Sequence, residues 1–299
     1  MNRPAPSDSG ASASPVSAAS PAAPPQRRVV LCADDFGASA AVSQAVLALG
    51  GRGRLSATSA MVLSPRWPVD AQRLAELRGR IDVGLHLDWT SDFALAAGHG
   101  LSLGAAMRRG VLGGFDQAAA RSVIERQLDA FEAAWQAAPD HIDGHQHVQQ
   151  FTGIRQALIE VVARRYGPRP PWLRISREPA GQRGIKGHVI AALGAAALEK
   201  EASQRGIPCA RALSGVYDFD ATDGVYASHM ARWLEQAPPG TVIMCHPATH
   251  AEAGDPIGPA RAREDAHLGS DAFARQLHIS GVRLVRGAAM NFLSPGDRP

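Results

Sequence analysis

Three short segments of this chain end an apolar run in side chains that bind metals. They are Ala33–Gly37 (ADDFG), Val83–Leu87 (VGLHL) and His141–His147 (HIDGHQH). Each apolar run is typical of a buried strand, and a strand that stops in Asp or His puts that side chain at the rim of a sheet. One carboxylate and two imidazoles that meet at such a rim can hold a divalent ion and leave positions open for water and substrate. The pattern indicates a metal-dependent hydrolase.

Asp34 and Asp35 are adjacent acids at the end of an apolar strand, where desolvation and mutual repulsion are costly unless something compensates for them. Capping of the next helix by Asp35 or Ser39 is the alternative, but it would explain only one of the two acids. Neighbouring side chains on a strand point in different directions. We therefore expect one carboxylate to bind the metal and the other to face the bound water.

The histidines of the other two segments are the candidate imidazole ligands. His86 stands between two leucines, and taken alone it would more often be a core histidine. Alternation along an extended chain would put His141, Asp143, His145 and His147 on one face. We expect His145 or His147 to bind the metal, and His141 to lie further away at the strand start. Asp143 can accept a hydrogen bond from a ligand imidazole. Solvated surface histidines are the alternative.

Two further strand ends carry polar side chains. His246 follows an apolar run and precedes Pro247, and an imidazole there can protonate a leaving group. A loop histidine beside a proline turn is the alternative. Arg174 can orient the catalytic carboxylate or bind a substrate oxygen, and an ion pair with Glu178 is equally consistent with the sequence.

Strands alternate with helices after Arg28, which predicts parallel βαβ units. We expect strands at Val29–Ala33, Thr58–Leu63, Val83–Leu87, His141–Asp143, Trp172–Ile175, Ala210–Gly215, Thr241–Cys245 and Val282–Val285. We expect helices at Ala38–Leu49, Pro68–Leu77, Ala118–Ala137, Phe151–Tyr166, Ile185–Arg205, Met230–Gln236 and Glu264–Ser280, and a long Gly-rich loop from Trp89 to about Asp116. The pattern predicts an α/β fold, a single distorted or incomplete TIM-like (β/α) barrel with its site at the C-terminal ends of the strands.

The chain has 299 residues and 45% hydrophobic residues, which suits one large domain. We assign residues 28–299 to that domain and predict that residues 1–27, rich in Ala, Ser and Pro, form a disordered tail. A processed targeting segment is the alternative, although the tail lacks the apolar middle region of a signal peptide. No apolar stretch approaches the roughly 20 residues of a membrane span.

Charge and cysteine content exclude some partners and compartments. The formal net charge of +3 comes from scattered arginines without a basic run interleaved with aromatic residues, so nucleic acid is not an expected partner. Cys32, Cys209 and Cys245 are isolated and form no CxxC motif, which indicates reduced thiols in a cytoplasmic protein. The sequence leaves open whether the chain forms a homodimer.

Six motifs, taken in order, give the chain a resemblance to a known family. ADDFG, GLHL, HIDGHQHV, RISRE, SGVYDF and MCHPA resemble the YdjC/ChbG family of carbohydrate deacetylases from about Val29 to Val285. The resemblance implies a distorted (β/α) barrel that binds a divalent metal and hydrolyses the N-acetyl group of a sugar. It implies Asp34 as the general base and His246 as the general acid. The metal ligands that it implies are Asp35, His86 and His145.

The sequence departs from the family where three alternating histidines often follow the Asp, because the third position here is Gln149. The family is usually described with magnesium, whereas two imidazoles and one carboxylate also suit zinc, so we expect one divalent ion, Mg or Zn. The expected partner is an N-acetylated sugar. One rival is a degenerate barrel that binds a glycan without cutting it. The other is a different metal-dependent hydrolase such as a phosphoesterase, for which Arg174 and Arg177 are the only nearby phosphate-binding candidates.

Overall fold

The computed structural model describes Met1, residues 27–220, residues 222–290 and Phe292. The disordered tail predicted for residues 1–27 lies outside these residues except for Met1 and Arg27, and Arg27 is already part of a strand. The division of the chain into a tail and a single domain therefore stays a prediction.

Eight parallel strands form the sheet of the described chain. They are β1 (Arg27–Phe36), β2 (Ala57–Ala60), β3 (Asp82–Leu87), β4 (His141–Gly144), β5 (Trp172–Leu173), β6 (Ala212–Ser214), β7 (Thr241–Cys245) and β8 (Val282–Leu284). Their order is β5-β4-β3-β2-β1-β7-β6, and β8 pairs with the first residues of β1. Between β5 and the segment before β6, Leu173 N donates to Pro208 O and Ala210 N donates to Leu173 O, both at 2.9 Å, in place of a full ladder. The prediction of an incomplete (β/α) barrel is confirmed.

Eleven helices flank the sheet in the described residues. They are α1 (Ala40–Gly51), α2 (Trp67–Leu74), α3 (Asp92–Ala96), α4 (Leu103–Val111), α5 (Gln117–Trp135), α6 (Ile154–Tyr166), α7 (Ile185–Ala192), α8 (Ala195–Gln204), α9 (Asp223–Gln236), α10 (Gly258–Gly269) and α11 (Asp271–Ile279). Short 3-10 turns span Ala75–Leu77, His145–Gln150 and Gly287–Ala289. Among these described helices, none is both long enough and apolar enough to cross a membrane.

Strand β1 divides the core into two parts because its side chains alternate between the faces of the sheet. Val29 and Leu31 pack in the larger cluster with residues of the surrounding helices. Val30 and Cys32 belong to a smaller cluster inside the barrel, which also contains Phe292. The last described residues thus help to fill the mouth of the barrel at the N-terminal ends of the strands, and the opposite rim remains for a site.

The prediction of a loop from Trp89 to about Asp116 is wrong, because this segment contains α3 and α4. Ser91 and Ser102 cap the two helices with their side chains, and each cap supplies an acceptor for a free backbone N–H of the first turn. The many glycines around these short helices conceal them in the sequence pattern.

Two of the expected helices are each divided in two. The helix expected at Ile185–Arg205 breaks at Gly194, which has a φ of +129°. The backbone there lies so close to Gln150 that an added Cβ would be 2.2 Å from the Gln150 carbonyl oxygen, so only glycine fits. The helix expected at Glu264–Ser280 begins earlier, at Gly258, and breaks at Ser270, which ends α10 and caps α11. Helix α9 also begins earlier than expected, at Asp223.

Candidate metal centre and active site

A bulge in β1 brings both of its acids to one rim of the sheet. The pairing of β1 with β2 shifts between Ala33 and Phe36, and Asp35 has a φ of 65°. Adjacent residues of a regular strand point to opposite faces, whereas a bulge re-aims one of them. Asp tolerates the left-handed region better than most residues. Asp34 and Asp35 are each only 2% exposed and both face the same site.

Asp35, His86 and His145 form a group that we name the rim cluster. Asp35 Oδ1 lies 3.4 Å from His86 Nε2 and 3.1 Å from His145 Nδ1. Two ligand atoms bonded to one ion at about 2.1 Å lie about 3.0 Å apart in octahedral geometry and about 3.4 Å apart in tetrahedral geometry. The donor types and their spacing therefore fit a divalent ion. The side chain of His145 is 22% exposed, which leaves one flank of the cluster open.

Asp143 sets the direction of the His86 ring. Its Oδ1 lies 2.6 Å from His86 Nδ1, so Nε2 faces Asp35. Burial acts to lower the pKa of His86, but the charge and hydrogen bond of Asp143, with the charge of Asp34, raise it to about 10. The surroundings of this ring therefore favour positive charge at Nε2, either a proton or a metal ion in its place.

Arg174 holds Asp34 with both ends of its guanidinium group. Nη1 donates to Oδ1 at 2.7 Å and Nη2 donates to Oδ2 at 2.9 Å, while Ser59 Oγ also donates to Oδ1 at 3.2 Å. Burial acts to raise the pKa of Asp34, but the charges of Arg174 and His86 lower it below its usual value. Nη1 of Arg174 also lies 3.0 Å from Asp143 Oδ2. In the described chain Arg174 forms no ion pair with Glu178, the alternative that the sequence allowed.

Arg261, which the sequence analysis did not single out, holds the second oxygen of Asp35. Its Nη2 donates to Asp35 Oδ2 at 2.7 Å, and its Nε donates to Asp255 at 2.8 Å. Burial acts to raise the pKa of Asp35, but the charges of Arg261 and His145 hold it well below its usual value. Because Oδ2 is engaged, Oδ1 is the oxygen that remains for an ion.

His246 approaches Asp34 from the end of β7. Its Nε2 lies 3.8 Å from Asp34 Oδ2, and its side chain is 13% exposed. Burial lowers the pKa of His246 to about 4, although the charges of Asp34 and Asp35 oppose this shift. Its backbone N donates to Glu264, whose other oxygen accepts from Tyr217 at 2.6 Å. Burial raises the pKa of Glu264 to about 7. Glu264 and Tyr217, to which the sequence assigned no role, fix the strand end that carries His246.

His147 does not share a strand face with His145, so that expectation is wrong. Strand β4 ends at Gly144, and a 3-10 turn follows in which Gln146 and His147 have φ values of 53° and 64°. The turn directs His147 Nδ1 to Ser176 Oγ at 3.0 Å and leaves the rim cluster to His145. Burial and the charge of Arg174 lower the pKa of His147 to about 3.

A second group of potential ligands, which we name the interior cluster, lies inside the barrel: Cys32, His141 and Asp143. His141 Nε2 lies 3.8 Å from Cys32 Sγ and 3.7 Å from Asp143 Oδ2. The His141 ring stacks on Trp172 with centroids 4.4 Å apart. Burial raises the pKa of the Cys32 thiol and lowers that of His141. All three side chains are buried, so this cluster is part of the core.

Curated proteins with related sequences carry deacetylase names. The chain is 28% identical over 259 residues to a carbohydrate deacetylase of Mus musculus, covering 82% of this chain and 75% of the mouse protein. It is 28% identical over 233 residues to a chitooligosaccharide deacetylase of Serratia marcescens, covering 75% of this chain and 82% of the bacterial protein.

A solved structure supports the fold. A protein of Enterococcus faecalis V583, provisionally described as a cellobiose-phosphate cleavage protein, superposes with a TM-score of 0.66 at 18% identity, covering 88% of this chain and 98% of its own. At that identity the likeness supports the architecture alone. The family model of the YdjC-like proteins matches residues 28–278, which is most of the chain. This chain belongs to the YdjC-like protein family.

Proposed function

We propose that this protein is a metal-dependent deacetylase that hydrolyses the N-acetyl group of a sugar or oligosaccharide. The observation that carries the proposal is the juxtaposition of the rim cluster with Asp34 and His246. Oδ2 of Asp34 lies 3.8 Å from Nε2 of His246. The deacetylase names of the mouse and Serratia relatives support the substrate class.

The proposed ligands of the ion are Asp35, His86 and His145, whose ligand atoms all lie within 4.8 Å of one another. A divalent ion supplies Lewis-acid polarisation of the acetyl carbonyl and lowers the pKa of a bound water. One carboxylate with two imidazoles suits zinc by ligand preference, and magnesium is the second candidate. Asp143 holds the His86 ring in position, and Arg261 holds Asp35.

Asp34 is the proposed general base. Its lowered pKa keeps it ionised near neutral pH, so it can accept the proton of the attacking water. Arg174 fixes the direction of this carboxylate. His246 is the proposed general acid. Because the pKa of His246 is about 4, its ring is neutral near pH 7. Asp34 removes a proton from the attacking water, and His246 passes that proton to the departing amine.

The test is acetate release from N,N′-diacetylchitobiose by the full chain, before and after chelation and after return of Zn²⁺ or Mg²⁺. We expect release that chelation abolishes and one of the ions restores. Asp34→Asn is the control for contaminating activity. Release that survives chelation, or that Asp34→Asn leaves unchanged, would contradict the proposal.

The same assay separates the two rivals. A barrel that only binds glycans would retain the disaccharide in equilibrium dialysis and release no acetate. A phosphoesterase would hydrolyse p-nitrophenyl phosphate in preference, but the nearby arginines are already engaged: Arg174 pairs with Asp34, Arg261 with Asp35, and Arg177 with Glu199 at 2.8 Å. These pairs leave little positive charge to hold a phosphate.

The location and the assembly of the protein stay predictions. Cys32, Cys209 and Cys245 are isolated in the sequence and all buried, and on this basis we propose a cytoplasmic location. Gel filtration with light scattering would decide between a monomer and a homodimer.

A further inference from the structure

Gln149 follows His145 and His147 at the next alternate position of the chain, and two hydrogen bonds fix the orientation of its amide. Its Nε2 donates to the carbonyl oxygen of Arg174 at 3.1 Å and to Ser176 Oγ at 3.0 Å. A carbonyl oxygen can only accept, so the NH₂ end of the amide must face it. Gln149 is buried, and these two hydrogen bonds use both donors of its NH₂ group.

The hydroxyl group of Ser176 links Gln149 to His147 by hydrogen bonds. Its Oγ accepts from Gln149, so its own hydroxyl proton is available for His147 Nδ1, 3.0 Å away. When this proton is donated to Nδ1, that nitrogen carries no proton of its own, and the neutral ring of His147 has its proton on Nε2. This is the tautomer that the proposal below requires.

His147 stands at the same rim of the barrel as the proposed site. It follows the C-terminal end of β4 by three residues, and Ser176, which it contacts, follows Arg174 by two. The charges of Arg174, Asp34, His86 and His246 all act on its ring. The side chain is partly exposed. Nε2 has no hydrogen-bond partner in the described part of the chain, whereas Nδ1 has Ser176. With Ser176 donating to Nδ1, an N–H donor thus stands at this rim without an acceptor among the described residues.

We propose that His147 donates its Nε2–H to the acyl oxygen of the N-acetyl group as that oxygen gains negative charge, and that Ser176 and Gln149 are the positioning residues that fix its tautomer. The proposal rests on the deacetylase function proposed above. A neutral donor directed at developing charge stabilises the transition state more than the bound substrate. His147 lies two positions from the proposed ligand His145, and both follow the C-terminal end of β4.

The first test measures the tautomer in the full chain without substrate. Two-bond ¹H–¹⁵N spectra of the ¹⁵N-histidine-labelled protein are expected to show a protonated Nε2 and an unprotonated Nδ1 for His147, assigned by loss of the signal in His147→Gln. Ser176→Ala should shift the His147 nitrogens toward an average of the two tautomers, and Ser176→Thr should restore them. An Nδ1–H tautomer or a charged ring in the unaltered protein would overturn the proposal.

The second test is kinetic and uses N,N′-diacetylchitobiose. Loss of a single oxyanion donor costs about 10²- to 10³-fold in kcat, which is the expectation for His147→Leu, with KM within about threefold. His147→Gln, which keeps an N–H at similar reach, should lose less. Glutamine also suits the backbone here, because neighbouring Gln146 has the same left-handed conformation. Ser176→Ala should lose about tenfold, and Ser176→Thr should recover it.

A rise in KM with unchanged kcat would place the contact on the sugar and overturn the acyl-oxygen assignment. Thermal melts and bound metal, measured by mass spectrometry, should match the unaltered protein, since a structural role would change them too. If the unaltered protein releases no acetate, the deacetylase function fails along with the donor role, whatever the tautomer. An active protein with the wrong tautomer overturns the donor role of His147 and leaves the deacetylase function standing.

Discussion

The rim cluster and the interior cluster contain similar ligand types at similar spacing, yet their surroundings differ. Each offers three ligand atoms that lie within 4.8 Å of one another. In the interior cluster every side chain is fully buried, and His141 stacks on Trp172. The rim cluster lies at the C-terminal ends of the strands, and His145 is partly open. The two clusters therefore differ in their access to solvent, although their ligand types and the spacing of their ligand atoms are similar.

Charge separates the clusters as well. Burial raises the pKa of Cys32, so its thiol stays protonated, and a protonated thiol is a poor metal ligand. Nη1 of Arg174 lies 3.0 Å from Asp143 Oδ2, so the positive charge beside this carboxylate comes from the arginine. In the rim cluster the pKa of Asp35 is lowered and His86 is held by a carboxylate. Similar sets of potential ligands thus form a packed polar core in one place and a site suited to cations in the other.

The largest expected effect is loss of metal from the rim cluster. Changes to residues that only orient ligands typically cost 10- to 100-fold in metal affinity, so His145→Ala, which removes a ligand, should weaken binding by more than about 100-fold. Cys32→Ala is the matched change in the interior cluster and should leave affinity unchanged, with about 1 to 3 kcal/mol less unfolding free energy. Calorimetric titration with Zn²⁺ measures both. Loss of binding in Cys32→Ala alone would assign the ion to the interior.

The next effect concerns Asp34, which lies beside the rim cluster without belonging to it. Asp34→Asn removes the proton acceptor, and kcat should fall by about 10²- to 10⁴-fold. Metal content should stay near one ion per chain because Asp35 keeps its oxygen. If the variant loses its metal together with its activity, Asp34 is a ligand and the roles of the two acids are exchanged.

A smaller and more selective effect is expected at His246. An amine must be protonated to leave, whereas a nitrophenolate leaves unaided, so His246→Ala should slow deacetylation of N,N′-diacetylchitobiose about 10²-fold or more and barely slow hydrolysis of p-nitrophenyl acetate. Zn²⁺ affinity should hardly change. Equal losses on the two substrates would assign His246 to positioning.

The smallest effect is a difference in pH dependence between the histidines of the two clusters. The folded-state pKa of His141 is lowered by burial, so its contribution to stability is present above pH 6.5 and is lost as the pH falls further. In the metal-free protein the pKa of His86 is raised to about 10, so its contribution is present below pH 6.5 and is lost as the pH rises toward 10. Urea unfolding of His141→Asn should therefore show a weaker loss of stability between pH 6.5 and 5. An unchanged acid slope would mean that His141 does not titrate in this range.

Much of the site can be predicted from strand ends, because parallel strands bring their C-terminal residues to one rim. This rule was enough to group Asp34 and Asp35 with His86. The contribution of Arg261 could not be predicted, since an arginine in the first turn of a helix shows no sign of the carboxylate that it contacts, and the expected helix began only at Glu264. The left-handed backbone at Asp35 also leaves no trace in the hydrophobic pattern.

The separation of the strands that pair with β1 has a consequence for biosynthesis. Strand β1 leaves the ribosome early, but β7 and β8, two of its partners, follow near the end of the described chain. Pairings between distant segments are slow to form, because the loop entropy is lost before the contacts are gained. A nascent chain that stops before Thr241 already contains Asp35, His86 and His145 but lacks two partners of β1 and also Arg261, which holds Asp35. Competence to bind the ion should therefore arise late in folding, after the whole barrel has assembled.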